Sequence, residues 1–156
     1  MTEVAIVTKM PLSFRMAHGV SVLAALAVAF LLLMPAPSGP PGWLADQLPE
    51  ALSSHLDKLV HAGLFFSLAG IWLRSLRLLP GLSRPIASAV LSAAAYGGLL
   101  ELLQALTPDR TTSWGDALAN LIGALLLGAI AGVVRRGRHG SGRDATRDSH
   151  RIGKKP

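Results

Sequence analysis

Four stretches of this chain are long and apolar enough to cross a bilayer: roughly Met16 to Met34, Leu59 to Leu79, Pro85 to Leu106 and Trp114 to Val134. A hydrocarbon core of ~30 Å needs ~20 mostly apolar residues in helical form. No water is present there to satisfy open backbone groups, so the spans must be helices or a closed barrel. Runs of this length fit helices, and the predicted fold class is all-α, an integral membrane four-helix bundle. Composition agrees, since only 15% of the 156 residues are charged while 51% are hydrophobic. Ordinary soluble domains carry about 25% charged residues.

The first stretch follows Lys9 and Arg15, as a secretory signal would. Its apolar run exceeds the ~7–15 residues of a signal core, and Pro35 and Pro37 spoil a small-residue cleavage site. It reads as a retained helix. Lys and Arg in the flanking segments then set the direction of insertion. Lys9 and Arg15 precede the first span, Arg74, Arg77 and Arg84 flank the connection between spans two and three, and the C-terminal segment is strongly basic. The connection from Pro35 to Lys58 carries Asp46, Glu50 and Asp57 against one lysine, and that from Thr107 to Ser113 has only Asp109 and Arg110. Both termini are therefore expected in the cytoplasm. The organisation is a cytoplasmic segment over 1–15, a membrane domain over 16–134 and a basic, disordered tail over 135–156. The outer segment around Trp43 is expected to hold a short interfacial helix, which Pro49 weakens.

The net charge of +6 does not point to nucleic acid. Eight of the fifteen basic residues lie in the tail RRGRHGSGRDATRDSHRIGKKP, which has no interleaved aromatics. Its place beside a span suits anionic lipid better. With no cysteine, disulfides, thiolate chemistry and cysteine zinc sites are excluded.

Against this background Glu101, in Leu-Leu-Glu-Leu-Leu-Gln, stands out. At ~1.5 Å per residue it lies roughly 8 Å inside the outer end of the third helix. Gln104 follows one turn further out, and Gly97 precedes one turn further in. Asp57 and His61 stand at i and i+4 at the start of the second helix, where Ser54-x-x-Asp57 has the form of a capping box. Ser113-x-x-Asp116 repeats the device at the fourth helix, followed by Asn120 and Gly123. Asp57, His61, Glu101, Gln104, Asp116 and Asn120 are thus delivered to one depth, below Arg110 in the short loop. An ionised side chain at the membrane centre costs at least ~2.5–3.5 kcal/mol. These groups are therefore expected to face one another across an outward-opening cavity.

Each residue also has a plainer role. Asp57 and Asp116 would stabilise helix N-termini, His61 would be a core histidine bonded to Asp57, and Lys58 would snorkel to lipid phosphate. Arg110 would counter Glu101 or Asp116, or grip a phosphate or carboxylate. Trp114 suits an interfacial anchor, and Gly128-x-x-x-Gly132 and the cluster Ala93, Ala94, Gly97 suit close helix contact. Ser88, Ser92 and Tyr96 share a face that is either packing or pocket wall. Glu101 alone is explained by neither capping nor snorkelling.

The pattern Asp57-Lys58-x-x-His61, Tyr96-Gly97-x-x-x-Glu101-x-x-Gln104 and Pro108-x-Arg110-x-x-Ser113-x-x-Asp116-x-x-x-Asn120-x-x-Gly123 resembles the VanZ-like membrane family. The resemblance runs from about Asp57 to Gly128 and takes in three of the four spans. Asp109 stands where that family often has Gly, and Ala62-Gly63 follows His61 where an aromatic is common. The resemblance implies a bacterial cytoplasmic-membrane protein, in a family whose namesake is associated with teicoplanin resistance.

Three functions compete. The first is an outward-facing site that binds or modifies an envelope component, such as a lipid head group, a carboxylate-ended peptide precursor or a glycopeptide. In it Arg110, Lys58, Gln104, Asn120 and Tyr96 bind the ligand, and His61, Glu101, Asp57 and Asp116 supply acid–base groups. The second is a membrane scaffold whose polar cluster is a structural network. The third is a metal-dependent enzyme with Asp57, His61, Glu101 and Asp116 as ligands. The sequence otherwise calls for no cofactor. A transporter fits poorly, because the inner half of the bundle has no polar residues to continue a path and no helix is visibly broken.

Overall fold

The computed structural model describes residues 12–34, 55–106 and 113–138 in full, and the backbone of 139–152. Their regular structure is entirely helical: α1 (Leu12–Leu33), α2 (Leu56–Leu76), α3 (Pro85–Ala105) and α4 (Trp114–Ile152). All four are long and apolar enough to cross a membrane, the spanning part of α4 being Trp114–Arg138. At ~1.5 Å per residue the 22 residues of α1 and the 21 each of α2 and α3 reach about 31–33 Å. That matches the hydrocarbon thickness. The protein is a multi-pass membrane protein built as a four-helix bundle.

The helix ends follow from local chemistry. Ser113 caps α4: its Oγ accepts from Gly115 N–H at 3.1 Å, and its carbonyl accepts from Asp116 and Ala117. The capping box expected at α2 rests on Ser54, which is not among the described residues. His55 occupies the cap position, with no side-chain hydrogen bond, and the helix starts at Leu56. The outer segment around Trp43, the N-terminal segment to residue 11 and Arg110 also lie outside the described residues. Pro85 opens α3 in its first turn, where a missing N–H costs nothing. Before it, Leu82 N–H donates to the Leu79 carbonyl at 3.5 Å with Pro80 and Gly81 between them, and Gly81 has φ of 81°. That is the type II turn which favours glycine at its third position. Where a disordered tail is expected from 135, the backbone continues as helix to Ile152.

The helices alternate in direction, and α2 packs against all three others. Phe65, Leu68 and Ala69 of α2 meet Ala93 and Leu100 of α3, Ala124 of α4, and Val28 and Leu32 of α1 in one buried cluster. Leu23, Phe30, Leu91, Leu102, Leu118, Leu125 and Val133 are exposed, as a lipid-facing surface requires. The closest approach joins α2 and α4, where a Cβ at Gly123 would be driven into the Ala62 carbonyl. A Cβ at Gly97 would stand 3.0 Å from both Asn120 Cβ and the Phe65 ring. Gly128 abuts Val90, but nothing lies within 4 Å of a Cβ at Gly132, so only one glycine of that pair serves a contact.

Helix α1 is attached differently. Trp72 Nε1–H donates to the Ser21 carbonyl at 3.2 Å, Tyr96 O–H to Ala25 at 2.7 Å, and Gln104 Nε2–H to Leu32 at 2.7 Å. Three donors from α2 and α3 therefore grip the main chain of α1. The start of α1 lies beside the end of α2, and α1 runs parallel to α3.

Candidate functional site

Asp57 and His61 project from the first two turns of α2, Glu101 from the last turns of α3, and Asp116 and Asn120 from the first two turns of α4. Because the helices alternate, all five fall near the same end of the bundle. The contact at Gly123 lies one turn below Asn120, and Gly97 receives Asn120 from the other side, so two glycines bring the three backbones close enough for direct contact.

The centre is Asn120, 1% exposed. Its Oδ1 lies 2.9 Å from His61 Nδ1, and its Nδ2–H donates to Glu101 Oε1 at 3.3 Å. A carboxylate needs a donor opposite it, which fixes the amide orientation, and Oδ1 then needs a donor from the histidine. Nδ1 therefore carries the proton. In the neutral ring Nε2 keeps its lone pair, and it faces Asp57 Oδ1 at 3.9 Å. Nδ1 also lies 3.9 Å from Glu101 Oε1. The polar chain thus runs from Asp57, whose side chain is 69% exposed, through His61 at 4% exposed and Asn120 to Glu101.

Asp116 sits beside this chain. Its Oδ1 lies 3.9 Å from the Nζ of half-exposed Lys58, an ion-pair distance too long for a hydrogen bond. A Cβ at Gly115 would meet Lys58 Cε at 2.7 Å, so the bare first turn of α4 is what lets the lysine reach across. Two buried carboxylate oxygens, Glu101 Oε2 and Asp116 Oδ1, accept no hydrogen bond among the described residues. A crevice of about 320 Å³ between α3 and α4 carries Glu101 on its wall, with Gly98, Ser113 and Trp114. Ligand atoms of Asp57, His61 and Asp116 lie within 4.8 Å of one another, and two carboxylates with an imidazole are donors of the kind that hold a divalent cation.

Of the residues singled out in the sequence, the structure gathers Asp57, Lys58, His61, Glu101, Asp116 and Asn120. They meet largely by direct contact, with the crevice to one side, rather than across a wide cavity. Tyr96 and Gln104 are not in the group: both turn to α1, and Tyr96 lines a separate cavity of about 420 Å³ with Ser21, Ala25 and Trp72. The pairing of His61 with Asn120 carries no sequence signal, because the two stand 59 positions apart.

No family model matches this chain, and neither a curated protein nor a solved structure matches it.

Proposed function

We propose that this cluster is a ligand site, opening to the extracytoplasmic side of a bacterial cytoplasmic membrane, for a polar envelope component such as a lipid head group or a carboxylate-ended peptide. His61 is the acid–base group. The observation that carries this reading is a pair of carboxylate oxygens that accept no hydrogen bond among the described residues. Each buried polar group left without a partner costs about 1–3 kcal/mol, more when charged. A network serving only to hold helices together has no reason to bear that cost twice within one cluster. Glu101 Oε2, on the crevice wall, and Asp116 Oδ1, with Lys58 Nζ no nearer than 3.9 Å, are therefore open to a donor that arrives.

Within this reading Asn120 fixes the His61 tautomer, Nε2 is the base on the exposed side beside Asp57, and Lys58 and Arg110 attract the anionic part of the ligand. The distribution of basic residues supports the outward direction, and the resemblance to the VanZ-like family supports a role in the bacterial envelope, glycopeptide resistance included.

The test uses single cysteines at 57, 61, 101 and 116 in this naturally cysteine-free chain, labelled in intact cells with an impermeant maleimide. Position 57 is expected to react readily from outside, and 101 and 116 slowly. Labelling of 57 from the cytoplasmic side alone would refute the proposal.

A second reading, a divalent cation held by Asp57, His61 and Asp116, is favoured by their mutual spacing. There the cation would polarise an oxygen of the ligand, and His61 would bind through Nε2 while Asn120 holds Nδ1–H. Calorimetric titration of the purified protein with zinc or magnesium is expected to show binding that Asp116→Asn weakens. The absence of any heat would remove this reading.

A further inference from the structure

The opposite end of the bundle holds a crevice of about 690 Å³ between α2 and α4. Its walls are apolar, chiefly Leu73, Leu127, Ile130 and Val134, and its mouth carries four arginines, Arg74, Arg77, Arg135 and Arg138. Each pair is spaced i, i+3, so both helices turn two guanidinium groups toward the same opening. All four are exposed, and none has an acidic partner among the described residues. The described carboxylates, Asp57, Glu101 and Asp116, belong to the other end.

Topology alone explains part of this. Arginines mark one side of a membrane protein, and Arg74 and Arg77 at the end of α2 also suit the negative end of its dipole. The dipole does not reach Arg135 and Arg138, which lie well before the end of α4 at Ile152, although their place at the end of its spanning part suits the same side of the membrane. Arg15, Arg84 and Arg136 stand elsewhere on this end, and neither effect explains why the other four line one apolar slot.

We propose that this crevice is a binding site for one anionic phospholipid, its phosphate held by the arginines and its acyl chain lying along Leu73, Leu127 and Ile130. The charge selects the head group, since guanidinium groups bind phosphate oxygens in bidentate fashion. The apolar slot selects a lipid over a free anion.

The test is native mass spectrometry of the full chain released from detergent micelles doped with phosphatidylglycerol or phosphatidylcholine. The wild type is expected to retain phosphatidylglycerol with a roughly thirtyfold preference, and R74Q/R135Q to lose that preference. Ala131→Phe, which fills the slot and leaves every charge in place, is expected to reduce retention of phosphatidylglycerol at least tenfold. Melting curves in phosphatidylcholine micelles establish that each variant is folded, and R77Q/R138Q serves as a second charge variant if the first is not. Equal retention of the two lipids by the wild type overturns the proposal. So does an unchanged preference in the folded charge variant. Retention of phosphatidylglycerol by Ala131→Phe that millimolar inorganic phosphate abolishes reveals an anion site without a lipid slot, and overturns it as well.

Discussion

At the scale of single residues, the cluster separates stability from ligand binding by which partner each side chain serves. Asn120→Ala leaves both His61 Nδ1 and Glu101 Oε1 without their bonds in a buried setting. It is expected to destabilise the protein by about 1–3 kcal/mol, read as a lowered unfolding midpoint in detergent. Glu101→Gln keeps the shape and still offers an oxygen to Asn120, so its midpoint is expected to fall by clearly less than that of Asn120→Ala. Any envelope or glycopeptide phenotype is nonetheless expected to disappear. A Glu101→Gln protein that loses stability and phenotype in proportion would show the cluster to be purely structural. Most of this cluster is legible in the sequence, because polar side chains inside apolar spans are costly and few, and alternating helix directions place them at one level. Gln104 shows where such reading stops. Residues three apart diverge by about 60° around a helix, and on α3 that angle is the difference between facing Asn120 and facing α1.

At the scale of the elements, the contact of α2 with α4 at Gly123 governs the site. Gly123→Ala sets a methyl against the Ala62 carbonyl, which no rotamer change can relieve. The helices must separate, at a cost of about 1–3 kcal/mol, and the His61–Asn120 distance must grow. Gly132→Ala meets nothing within 4 Å, and is expected to leave stability unchanged or raise it by up to ~1 kcal/mol. Comparing the two unfolding midpoints checks both expectations. The sequence marks small residues at helix contacts without saying which ones touch, since Gly128 and Gly132 look alike until the partner helix is present. It places the four spans to within a few residues. The attachment of α1 leaves no trace in its own residues, because what it offers is main-chain oxygen. Tyr96→Phe removes one of the three bonds to it and is expected to cost about 0.6–2 kcal/mol. Faster proteolysis of α1 in detergent would report that loss.

For the whole molecule, the bundle is polar at two ends in opposite ways: carboxylates and His61 at one, and at the other arginines with no acidic partner among the described residues. If the basic end faces the cytoplasm, a reporter fused after Pro156 is active only inside the cell, and cysteines at 57 and 74 react from opposite sides. A single reporter result outside the cell would reverse the functional reading. The hold on α1 has its own consequence for how such a chain can change over generations. A helix recognised in part through its peptide groups presents the same acceptors whatever side chains it carries, provided small ones remain where Ala25 meets Tyr96 and apolar ones where Val28 and Leu32 enter the core. Outside those positions the first span is free to drift, while the other three stay bound to their chemistry.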